Sequence, residues 1–100
     1  MLILVTSCIG KIIRFRLKDD QATIIRIGSL PESHICRPYK GVSRNHFTLT
    51  NHKNKWVLND LGSTNGTRVN GRKVQESELK RGDLMHAGIV DLSLQDMAAE

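Results

Sequence analysis

Two cysteines, two prolines and four aromatic side chains in 100 residues, with no long apolar run, leave several architectures without support. Cys8 and Cys36 are too few and too far apart for a disulfide framework or a zinc pattern, and His34, His46, His52 and His86 add no ligand spacing. Neither a metal nor another cofactor is expected, and the sparse cysteines fit a reducing, cytoplasmic setting. Helical periodicity never persists, and no internal repeat or low-complexity tract is present. Gly10-Lys11 lacks the upstream glycine and the following hydroxyl residue of a nucleotide-phosphate loop. "VTSC" at residues 5–8 resembles a lipoprotein cleavage box without its basic start or full apolar segment, so lipidation is not expected. "NGT" from Asn65 is formally a glycosylation acceptor, but no secretory signal is recognisable.

What is present is ordinary for a globular chain: 39% apolar and 25% charged residues. One domain of this length buries roughly two-thirds of its unfolded surface and folds without staples. Fifteen Lys and Arg against ten Asp and Glu give a formal charge of +5. That balance biases the surface toward anionic partners: phosphorylated peptide, nucleic acid or anionic lipid. The basic residues are scattered, and most of the four aromatics (Phe15, Tyr39, Phe47, Trp56) read as core, so no stacking platform or basic helix supports nucleic-acid recognition. A nucleic-acid binder ranks third among the functional readings, and no membrane partner is expected.

Short runs rich in Ile, Val, Leu, Phe and Thr follow one another: "LILVT" from Leu2, "IIRFRL" from Ile12, "TIIRIG" from Thr23, "HFTLT" from His46, "KWVLND" from Lys55 and "GIVDLSL" from Gly88. In the second, Ile13, Phe15 and Leu17 alternate with Arg14, Arg16 and Lys18, the period of a strand with one wet face. Asn70-Gly71 between Val69 and Val74 suits the positive backbone angles of a type I′ hairpin, and "KRGDLMHAG" reads as another glycine turn before the last strand. The pattern predicts an all-β sandwich of two antiparallel sheets with Trp56 as the large core anchor. Residues 28–41, with both prolines, read as a long connection, a feature that is often functional. The domain is expected over residues 1–95, with 96–100 a tail or the start of a linker.

Catalysis finds little to stand on. "GVSRN" at residues 41–45 comes within one residue of a nucleophile elbow, but no helix follows it. Ser43, His46 and Asp60 could form a triad only by coincidence, so no catalytic residue is assigned and an enzyme is not expected. Two polar loops are more coherent. "VSRNH" (residues 42–46) leads into one strand and "NDLGSTNGT" (residues 59–67) leaves the next. Hydroxyls, a guanidinium and loop amides can donate to a phosphate, and an Asn amide can pair with a peptide backbone. Ser, Thr, Asn and Gly are equally the residues of turns, and on this chemistry alone the turn reading takes precedence. Whether the loops converge depends on the sheet topology.

The ordered set "G...VSRNHFTL...W.LND.GSTNGT.VNG", over about residues 25–88, strongly resembles the forkhead-associated (FHA) domain family. The resemblance implies a β-sandwich whose loops at one end recognise phosphothreonine in an extended partner segment. It implies that Ser43 hydrogen-bonds the phosphate, Arg44 flanks it, Thr64 lies at its edge and Asn65 grips the peptide main chain. It also implies structural roles for Gly28, His46, Gly62 and Gly66, with the His46 ring bracing the Ser43 loop rather than acting as a base. One position departs from the pattern: the family glycine matching Gly28 is usually followed by a phosphate-contacting arginine, and here Ser29 follows. Arg37, Lys40 or Arg26 are candidate replacements. The expected function is a phosphothreonine-dependent adaptor module, the N-terminal part of a larger protein. The alternative is a degenerate member that mediates phosphate-independent interaction or assembly.

Overall fold

The computed structural model describes residues 2–8, 11–17, 23–37, 39–53 and 55–96. Among the described residues eleven strands follow in order: β1 (Leu2–Cys8), β2 (Lys11–Leu17), β3 (Thr23–Gly28), β4 (Ile35–Cys36), β5 (Phe47–His52), β6 (Lys55–Asp60), β7 (Thr67–Val69), β8 (Arg72–Val74), β9 (Glu76–Leu79), β10 (Leu84–Ala87) and β11 (Val90–Asp96). They form a six-stranded sheet, β2-β1-β11-β10-β7-β8, and a five-stranded sheet, β4-β3-β5-β6-β9. Pairing is antiparallel except for the short parallel contact of β4 with β3. Among the described residues no helix is long and apolar enough to cross a membrane.

Alternation builds the core between the sheets. Phe47 and Leu49 of β5 and Trp56 and Leu58 of β6 face Leu4, Met85, Leu92 and Leu94 of the other sheet. Trp56, only 2% exposed, is the expected anchor. The wet-face reading of β2 holds only in part: Leu17 is 2% exposed, Phe15 is partly buried and Ile13 is 39% exposed. β2 is the outermost strand of the larger sheet, so its inward face loses cover along its length.

Asn70 and Gly71 have φ of 51° and 83°, the two positive angles of the predicted hairpin turn. The stretch read only as a glycine turn before the last strand contains β10. The strand β9 escapes a pattern reading because its inward side carries a single large apolar residue, Leu79. The last strand runs through Asp96, one residue past the expected boundary, and residues 97–100 lie outside the described part.

The long connection is held at two points. Arg37 is 3% exposed, and its Nε and Nη2 donate to the Thr6 hydroxyl and carbonyl at 3.2 and 3.4 Å, across the sandwich on β1. Its guanidinium also stacks 5.6 Å from the Tyr39 ring centre. Farther along, Gly41 meets Gly88 in the β10–β11 turn so closely that a Cβ on Gly88 would lie 2.5 Å from the Gly41 carbonyl carbon. Both glycines have positive φ, 87° and 60°. Gly88→Ala therefore meets backbone strain and backbone atoms together, and it should lower unfolding free energy by at least about 1 kcal/mol in a denaturant titration.

Candidate functional site

The hairpin register brings the two polar loops together. Phe47 at the start of β5 pairs with Asp60 at the end of β6, so the loop entering one strand lies beside the loop leaving the other. His46 joins them. Its ring is fully buried; Nδ1 accepts the Ser43 backbone N–H at 3.0 Å, and Nε2 lies 2.9 Å from the Gly66 carbonyl. Accepting at Nδ1 and donating from Nε2 defines the neutral tautomer with its proton on Nε2. Backbone bonds from His46 N to Ile27 O and from Leu61 N to His46 O, both 3.0 Å, fix the residue itself.

Ser43 Oγ accepts the Thr64 backbone N–H at 3.0 Å, which leaves the serine proton to donate outward. Asn65 Nδ2 donates to the Gly41 carbonyl at 3.2 Å. A cavity of 540 Å³ opens here, with Ser29, Ser43, Arg44, Asn45 and Thr64 among its lining residues. Leu30, Val42 and Leu61 add apolar wall. Gly28 is required by close approach: a Cβ there would sit 2.0 Å from the Arg44 carbonyl oxygen. Gly62 and Gly66 take φ of 74° and 80°, and Gly66 lies beneath the Lys73 stem.

Ser29 stands beside Ser43, donating its backbone N–H to the Ser43 carbonyl at 3.0 Å. Of the residues considered as replacements for the family arginine, Arg37 is corrected outright: it is buried against Thr6, away from the cavity. The exposed Lys40 does not line the cavity, and Arg26 lines a neighbouring 230 Å³ cavity that shares Leu30 and Asn45 with it. Among the described lining residues, Arg44 supplies the positive charge. The coincidental Ser43, His46 and Asp60 set forms no relay, because both ring nitrogens and the Asp60 oxygens are committed to loop groups. Among the described residues no His, Cys, Asp or Glu cluster could hold a metal.

Asp60 is the residue whose role sequence reasoning missed. Its Oδ2 accepts the amides of Gly62 and Ser63 at 3.0 and 3.1 Å, while Oδ1 accepts the hydroxyls of Ser63 and Thr67 at 2.5 and 2.8 Å. It folds the polar turn around one carboxylate. The available signal was an Asp followed two and three residues later by Gly and Ser, the spacing of a side chain closing a local turn. Partial burial raises the Asp60 pKa, but the hydrogen bonds from Ser63, Thr67 and Gly62 outweigh it and hold the carboxyl below its ordinary value.

The FHA domain family model matches residues 25–88. The chain belongs to the FHA domain family. It is 40% identical over 62 residues to the FHA domain-containing protein FhaA of Mycobacterium tuberculosis, covering 62% of this chain and 12% of that protein. The chain thus spans about an eighth of that relative's length. The FhaA FHA domain, solved in complex with the intracellular domain of Rv3910, superposes with a TM-score of 0.84 at 29% identity, covering 95% of this chain and all of that one. A structure from a study of phosphothreonine-dependent FHA domain interactions gives 0.79 at 28% identity, covering 98% of each chain. FHA domains are protein-interaction modules.

Two outcomes follow from the site. His46→Ala removes the brace between the loops, so melting temperature and ligand affinity should fall together; an unchanged melting curve would refute the bracing role. A carboxyl with a depressed folded pKa stabilises the protein fully above its unfolded pKa, near 3.8, and loses that contribution as pH falls through the lower folded value. Asp60→Asn should therefore flatten that acid limb of stability against pH, measured by urea unfolding across the acidic range.

Proposed function

We propose that this FHA domain is a phosphothreonine-dependent protein-binding adaptor, working in the cytoplasm as part of a larger protein and without catalysis of its own. The observation that carries the reading is the convergence of Ser43, Arg44 and Thr64 on one cavity beside Asn65. In the proposed complex the Ser43 hydroxyl donates to a phosphate oxygen, Arg44 adds charge, and Thr64 closes the edge. Asn65 exchanges its bond to the Gly41 carbonyl for the main chain of the bound segment. Gly28, His46, Gly62 and Gly66 shape the loops that carry them. The phosphothreonine-dependent interactions of the similar FHA domain support this assignment. The proposed module takes in residues 1–95 and extends to Asp96, where β11 ends.

A phosphothreonine peptide should bind and its unphosphorylated twin should not, since the phosphate brings about −1.5 to −2 charge to a donor-rich cavity. Ser43→Ala and Asn65→Ala should each weaken binding in calorimetry while leaving thermal unfolding nearly unchanged. For Ser43 the loss should be roughly ten- to a hundredfold, the worth of a hydrogen bond to a charged group. Equal affinity for both peptides would establish the second reading, a phosphate-independent interaction module, which Ser29 in the arginine position favours. Ser29→Arg should add a planar fork of donors at the cavity wall and raise phosphopeptide affinity by at most about 1.5 to 3 kcal/mol, with no gain for the unphosphorylated peptide. Since Lys40 does not line the cavity, the gain should persist unchanged in a Lys40→Ala background.

A further inference from the structure

We propose that the outer edge of β2 is a second docking site, which captures an extended acidic segment of a protein partner as an added strand. β2 ends the six-stranded sheet and pairs with β1 in unbroken register from Leu2↔Leu17 to Cys8↔Lys11. A regular edge strand directs alternate N–H and C=O groups outward, ready for another strand to take up. Edges are commonly guarded by proline, a bulge or short length, and residues 11–17 have none of these. Their guard is charge: Arg14 and Arg16 are exposed on the outward face. Cover on the inward face is incomplete, with Phe15 partly buried and Ile13 39% exposed, while Ile12 on the other face is 58% exposed. The edge therefore presents apolar surface on both faces beside two guanidinium groups.

Those charges select the occupant. A second copy of β2, laid antiparallel and centred on Arg14, would set Arg14 against Arg14 and Arg16 against Ile12, and like charges directly opposite are destabilising. A segment alternating carboxylates with apolar side chains does the reverse. Its carboxylates pair across the strands with Arg14 and Arg16, and its apolar side chains cover Ile13 and Phe15. The net charge of +5 adds long-range attraction for such a segment. β1, β11 and β10 separate β2 from β7, so occupation of the edge leaves the loops around Ser43 and Thr64 open. The site does not depend on phosphothreonine recognition.

The test is an NMR titration with amide hydrogen exchange on the intact chain. The probe is a short synthetic peptide alternating glutamate with valine and phenylalanine. Its controls are a lysine-for-glutamate counterpart and a version N-methylated along the edge that would face β2. The acidic peptide should shift and protect β2 amides while leaving Ser43 and Thr64 unmoved, and both controls should fail. The double change Arg14→Glu with Arg16→Glu should lower affinity by about tenfold at an unchanged melting temperature. The proposal is overturned by absence of binding, by equal binding of the N-methylated peptide, or by shifts confined to the Ser43 and Thr64 loops. Concentration-dependent pairing of β2 with itself in the free chain would overturn it equally.

Discussion

The two ring hydrogen bonds of His46 are the constraint on which the recognition end depends. One holds the Ser43 amide and the other the Gly66 carbonyl, so a single buried imidazole sets the distance between loops that are distant in sequence. The Ser43 hydroxyl then reaches the Thr64 amide, and Gly28 lets the Ser43-Arg44 backbone close onto β3. Replacing the imidazole by an apolar side chain of similar size would leave a backbone donor and a backbone acceptor to find other partners, and the loops would lose their shared reference.

A second polar centre works beside it. Asp60 gathers the amides and hydroxyls of the following turn, and Thr67 connects that turn back to the larger sheet. Together the histidine and the aspartate explain why the turn contains so many small polar residues. Some of these groups hold the loops' shape, as the Thr64 amide does by donating to Ser43 Oγ, while Thr64 itself remains exposed at the cavity.

Much of the framework was legible in the sequence because it rests on period and turn chemistry. "KWVLND" from Lys55 is β6 to the residue, Trp56 is buried, and Asn70-Gly71 turns as its angles require. Strands β4 and β9 were illegible, since two residues cannot show a period and a single large apolar residue on the inward face cannot either. At the site, Ser43, Arg44 and Thr64 do line one cavity. Arg37 misled because charge predicts exposure, whereas a long side chain beside a buried hydroxyl and carbonyl can bury its guanidinium through hydrogen bonds. Neither the Gly41 contact with Gly88 nor the tie from Arg37 to Thr6 spans a fixed spacing, so no local pattern announces them.

The pairing of Leu2 with Asp96 carries a mechanical consequence. These residues lie at the end of β1 and β11 away from the β10–β11 turn that abuts Gly41. Tension applied across the two would open the β1–β11 ladder like a zipper, one residue pair at a time, instead of shearing all its hydrogen bonds together. Within a tethered assembly, the fold would yield first along that seam, while the opposite pole kept its shape.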